Sequence, residues 1–113
     1  MQRLPKRLVD GSQLTTAAAT YYTTPAGTIT TISACTVTNT TAGVVTASVH
    51  LVPSGGSATA SNIVLSARGI AAGESFNVGS AIGQSLATGG TLQALASAGA
   101  SINLVASGYE TNP

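Results

Sequence analysis

The chain has 113 residues, which bounds it to one domain. Charged residues make up 6% of it, against ~25% in an average protein, while 43% are hydrophobic. That balance excludes a charge-rich disordered chain, and a net charge of +1 gives no general attraction to nucleic acid or to a membrane surface.

The core must be thin. There is no Trp, one Phe (Phe76), one Met and three Tyr, so the apolar side chains are mostly Ala, Val, Ile and Leu. Small side chains contribute little each at ~25 cal/mol per Å² of buried apolar surface. A subunit built this way gains stability from packing against copies of itself or a larger assembly, so a homo-oligomer is expected.

In chain order, residues 1–12 read as a basic, extended N-terminal arm. It holds three of the four basic residues, Arg3, Lys6 and Arg7, interleaved with Leu4, Leu8 and Val9. Pro5 keeps it extended and Asp10-Gly11 closes it with a turn signal. Two readings stay open: a disordered tail, or an arm that orders against a neighbouring subunit through Arg3, Leu4, Lys6, Arg7, Leu8 and Val9. Nucleic-acid binding is not expected, because these few charges have no stacking aromatics among them.

Residues 13–110 read as the domain, and 111–113 as a short tail. Ala18–Thr24 predicts a first strand, ended by the Pro25-Ala26-Gly27 turn, and Thr28–Asn39 a long strand irregular enough to contain a bulge. Val44–Val52 has the cleanest alternation, with Val45, Ala47, Val49 and Leu51 on one face and Thr46, Ser48 and His50 on the other. The Pro53–Ser61 stretch reads as a flexible loop. Asn62–Ile70 alternates again, with Ile63, Leu65 and Ala67 inward and Arg68 outward. Ser75–Val78 is a short strand, and Gly79–Gly90 a crossover with at most a short helix, since Gly83 weakens the Ile82/Leu86 pair. Thr91–Ser97 and Ile102–Tyr109 complete the set, joined by Ala98–Ser101 as a hairpin. About seven short strands without a sustained helical period predict an all-β antiparallel sandwich or jelly roll.

Catalysis finds little to work with. Acid–base chemistry needs positioned titratable pairs, and the candidates are Asp10, Glu74, Glu110 and His50, scattered through the chain. A metal site wants three or four ligands, and one His and one Cys do not supply it. Cys35 reads as a small buried hydrophobe that cannot form an internal disulfide, which fits cytosolic synthesis. No run approaches the ~20 apolar residues of a membrane span, and no apolar stretch follows the basic N-terminus as in a secretory signal. The chain is therefore expected to be non-enzymatic, without metal or cofactor.

The stretch Leu14-Thr15-Thr16-Ala17-Ala18-Ala19-Thr20-Tyr21-Tyr22-Thr23-Thr24-Pro25-Ala26-Gly27-Thr28 resembles the opening of small proteins encoded among tailed-bacteriophage structural genes. Thr36-Val37-Thr38-Asn39-Thr40-Thr41, Val49-His50-Leu51-Val52-Pro53-Ser54-Gly55-Gly56, Ile70-Ala71-Ala72-Gly73-Glu74 and Gly90-Thr91-Leu92-Gln93-Ala94-Leu95-Ala96-Ser97 are similar to further stretches of those proteins. The resemblance covers residues 13–110 and leaves the arm outside. It implies a virion component made in the host bacterial cytoplasm, with a β-sandwich fold and no catalytic residue. The expected role is a capsid decoration or cement protein, in trimers, bound to the major capsid protein. The alternatives are a neck, tail or baseplate accessory protein, and a displayed receptor- or glycan-binding module, for which Tyr21, Tyr22 and Tyr109 are the available aromatics.

Overall fold

A computed structural model describes residues 2–112, with side chains from 4 to 111. Its strands are β1 (Gln2–Gln13), β2 (Ala19–Thr23), β3 (Ile29–Asn39), β4 (Val45–Val52), β5 (Ile63–Ile70), β6 (Ser75–Asn77), β7 (Ser85–Leu86), β8 (Thr91–Ala96) and β9 (Ile102–Asn112). A single 3-10 turn, Gly79–Ala81, is the one helical element among the described residues.

The pairing is nested. β1 pairs with β9, β2 with β8, β3 with β6 and β4 with β5, all antiparallel. The ladders β3–β9 and β4–β8 then join these pairs into two sheets, ordered β1-β9-β3-β6 (with β7 also on β3) and β2-β8-β4-β5. A long antiparallel ribbon wrapped over on itself gives this order, and the architecture is a jelly-roll sandwich. The all-β expectation is met.

Alternation places the core between the sheets. Ile32, Cys35 and Val37 of β3 and Ile102, Leu104 and Ala106 of β9 line one inner face, and Val45, Ala47, Val49, Leu92, Ala94 and Ala96 line the other. The expected bulge in the long third strand lies between Ile32 and Ala34, where the register against β9 slips. Gly108 faces this bulge so closely that a Cβ added to it would meet the Thr31 carbonyl. One buried polar side chain ties the turns at one end. Asn39 donates from Nδ2 to the Gly43 and Ile70 carbonyls (2.7 and 2.8 Å), and its Oδ1 accepts from the Thr41 amide and hydroxyl.

Several local expectations are corrected. Residues 2–12 are not an arm outside the domain: they form most of β1, the edge strand of the larger sheet, and the pairing runs from Gln2 opposite Asn112 to Gln13 opposite Asn103. Asp10-Gly11 is not a closing turn but part of a bulge, where Gly11 takes φ +127° and the register shifts between Val9 and Ser12. Ala98–Ser101 does not make a hairpin, because β8 and β9 lie in different sheets and the segment crosses between them. Ala67 is exposed rather than inward, since the register of β5 against β4 slips twice and Ala67 itself has φ +43°. Thr111 and Asn112 of the expected tail belong to β9, while Met1 and Pro113 lie outside the described residues.

Candidate partner-binding edge and interior cleft

β1 is paired on one side only, so its other edge is open. Long open edges invite pairing with other chains, and proteins guard them with Pro and with basic residues. β1 carries both: Pro5, which lacks an N–H and is tolerated at sheet edges, and the cluster Arg3, Lys6 and Arg7.

The six residues read from sequence as partner-binding separate into two groups. Leu4, opposite Glu110, is 50% exposed, and Arg7, opposite Ser107, is exposed without an acidic partner among the described residues. Arg3 is placed by its backbone opposite Thr111, and its side chain lies outside the described part. Leu8 and Val9, by contrast, are both buried in the core. Neighbouring residues of a regular strand point to opposite faces, but the register slip between Arg7 and Val9 lets both turn inward.

Lys6 belongs to a network that the sequence did not disclose. Its Nζ donates to Glu110 Oε2 on β9 at 3.2 Å. The same oxygen accepts the Tyr22 hydroxyl at 2.5 Å. Having given its one proton to the carboxylate, Tyr22 must accept the bond that joins it to Thr30 Oγ1 at 2.8 Å. The cluster thus draws on β1, β2, β3 and β9 and bridges the two sheets. Burial and the hydrogen bond to Glu110 push the Tyr22 phenol up to about 12. The Tyr22 hydroxyl, and secondly Lys6, hold the Glu110 carboxyl below the ordinary glutamate range.

The remaining titratable side chains are dispersed. His50, expected on the polar face of β4, is on that face and yet buried, because the Pro53–Ser61 loop folds over it. Its Nδ1 lies 2.9 Å from Asn62 Oδ1 and 3.1 Å from the Thr59 carbonyl, both acceptors, so Nδ1 carries the proton. Asn62 also accepts from the Thr59 amide and donates to the Ser57 carbonyl, so a loop whose composition reads as flexible is clamped. Cys35 is fully buried on β3, with its thiol pushed up to about 11 by burial, whereas His50 is on β4 of the other sheet. Glu74 accepts the Ala71 amide within its own turn. No group of three His, Cys, Asp or Glu is placed to hold a metal among the described residues. Tyr22 is buried and Tyr21 packs half-buried beside it, so the adjacent tyrosines offer no open aromatic platform.

On the side of the sandwich away from β1, between β4, β5 and β7, lies a cleft of about 510 Å³. Its floor is Leu51, Ile63, Val64 and Leu86, and its rim includes Ser54, Ser61, Gln84 and Ser85. No sequence pattern marked it, because its walls come from segments far apart in the chain.

Set against family models, curated proteins and solved structures, the chain has no significant match.

Proposed function

We propose that this chain is a non-enzymatic structural subunit of a tailed-bacteriophage virion, a decoration or cement protein that assembles as an oligomer on the capsid exterior and binds the major capsid protein. The observation that carries the reading is the open edge of β1, with Leu4 and Arg7 exposed on a domain that is otherwise nearly uncharged. An exposed apolar residue and, on the opposite face of the same edge strand, an exposed cation without an acidic partner among the described residues suit contact with a neighbouring acidic protein surface, while a neutral body lets many copies sit side by side without mutual repulsion. The resemblance of residues 13–110 to phage structural proteins supports it. The jelly roll adds support by analogy alone, since viral shells, lectins and cupins all use it.

The burial of Leu8 and Val9 changes how the edge must be probed. Deleting residues 1–9 would remove core side chains and bare the β9 edge, confusing unfolding with lost attachment. The double substitution Leu4→Asp/Arg7→Glu changes only exposed positions. It is expected to leave the melting temperature within a few degrees and to weaken co-sedimentation with capsids at least tenfold, a loss of about 1.4 kcal/mol. Unchanged co-sedimentation would remove β1 from the interface. Labelling the protein on intact virions tests the location: regular label over the head supports decoration, and label confined to neck or tail replaces it with an accessory role. Particles without label would refute a surface position altogether.

A further inference from the structure

The two sides of the sandwich are closed by different means, and the side carrying β5, β6 and β7 closes incompletely. Asn39 ties β3 to the Ile70 carbonyl, Arg68 lies over the Phe76 ring at 4.3 Å, and the Ser80 hydroxyl donates to the Val64 carbonyl. The cleft begins beside this last contact, since Val64 is among its lining residues.

We infer that this cleft binds a neutral, hydroxyl-rich small molecule of the saccharide class. Its volume, about 510 Å³, falls within the ~300–1,000 Å³ typical of small-molecule sites. No charged side chain lines it, so an ionic ligand would lose its hydration without gaining a countercharge. What does line it is an apolar floor bordered by groups that can both give and take hydrogen bonds. Among the described residues the Ser54 and Ser85 hydroxyls have no hydrogen-bond partner, and Gln84 donates from Nε2 to the Ser80 carbonyl at 3.3 Å, which leaves its Oε1 to accept. A sugar ring presents the matching surface, with C–H groups on its faces and, at its edge, hydroxyls that need a donor and an acceptor each.

The rim is also set in place before any ligand arrives. The His50–Asn62–Thr59 clamp fixes the loop that carries Ser54 and Ser61, so ordering it costs the ligand little. Gly89, next to the lining residue Gly90 and at φ +82°, lies so near Ser54 that a Cβ there would come within 2.5 Å of its Oγ. The loops that carry the lining residues Ser54 and Gly90 are thus pressed together. No aromatic side chain lines the site, so stacking is absent and the expected Kd is weak, on the order of 1 mM.

This inference is independent of the virion reading. It is tested by titrating the uniformly labelled full chain with neutral sugars (methyl glucoside, N-acetylglucosamine, lactose) and with glucose 6-phosphate, following backbone amide shifts by NMR. Saturating shifts confined to residues 51–54, 61–64 and 84–87 are expected for at least one neutral sugar, with a weaker response to the phosphorylated one. Ser85→Trp should fill the cleft and abolish them, while Ala17→Trp, at an exposed position before β2, should leave them intact. Ser54→Ala removes one hydroxyl without filling space and should weaken binding about fivefold, as the loss of one hydrogen bond would. No saturating shift from any neutral sugar well above millimolar concentration would overturn the inference. So would shifts that survive Ser85→Trp, or a stronger response to the phosphorylated sugar.

Discussion

The β1–β2 side and the β5–β7 side of this sandwich solve the same problem in opposite ways. On the first, Leu8 and Val9 reach into the core, and the Lys6–Glu110–Tyr22–Thr30 network joins four strands across both sheets. On the second, Ile70, Val78, Ala81 and Leu86 also reach the core, but of the three side chains that span the gap only Asn39 is fully buried, and a cleft remains. A side closed by core side chains and a charge-assisted network holds its strands firmly. A side whose spanning polar contacts lie mostly at the rim can leave space for a guest. The lesson is that a charge-poor, alanine-rich chain places most of its scarce ionisable groups where a terminal strand must be held, and leaves the far side with Arg68 and Glu74 outside a cleft that no charge lines.

That contrast can be broken most severely at Gly108. Any Cβ at this position meets the Thr31 carbonyl in the middle of the β1-β9-β3 sheet, where backbone cannot yield cheaply. Gly108→Ala is expected to cost more than ~3 kcal/mol, at or beyond the upper end for overpacking, and urea denaturation should show the folded baseline shortened or lost. A variant within 1 kcal/mol of the parent, on the order of an ordinary surface change, would mean that the β3 bulge relaxes to make room.

A moderate effect is expected from Tyr22→Phe, which removes the hydroxyl from the network and leaves Glu110 with Lys6 alone. The cost should be about 1 kcal/mol at neutral pH. The pH dependence is more telling. Glu110 has a lowered folded value, so its contribution is present above the unfolded glutamate pKa and is lost as pH falls through the folded value. The parent should therefore lose stability in acid below the normal glutamate range, and Tyr22→Phe should lose less over that window. The phenol itself has the opposite sign. Raised to about 12, it contributes stability below its ordinary value of 10.0 that is lost as pH climbs toward about 12. Denaturant midpoints across both windows check the two signs, and an unchanged acid limb in the variant would take Tyr22 out of the network.

The smallest effect belongs to the other side. Arg68 is exposed, and its contact with the Phe76 ring is worth about 0.5 kcal/mol at such a site. Arg68→Ala should lower the melting temperature by a few degrees at most. A loss as large as that of Tyr22→Phe would erase the distinction drawn between the two sides.

Much of the strand content was legible because period-two alternation is local. Val45 to Val52 shows it plainly, and the observed strand agrees within one residue. β1 was not legible as a strand. Its alternation is broken by the slip after Arg7, Pro5 and three cations resemble a tail, and its partner β9 lies at the other end of the chain. The site residues fared likewise: Leu4 and Arg7 are exposed as a partner-binding edge requires, whereas the adjacent Leu8 and Val9 are claimed by the core. Neither the network nor the cleft had a sequence signal, since Lys6 and Glu110 stand 104 positions apart and each wall of the cleft is an ordinary Ser-rich stretch.

By itself the sequence determined an all-β chain with a thin aliphatic core, an almost neutral surface and its cations gathered near the N-terminus, because composition and alternation act within a few residues. The tertiary structure alone decided which strands share a sheet, that the basic segment is an edge strand, that His50 is buried beneath a loop, and where the sandwich stays open. Those outcomes depend on pairing between distant segments, and a strand carries no local mark of the partner that will take its free edge.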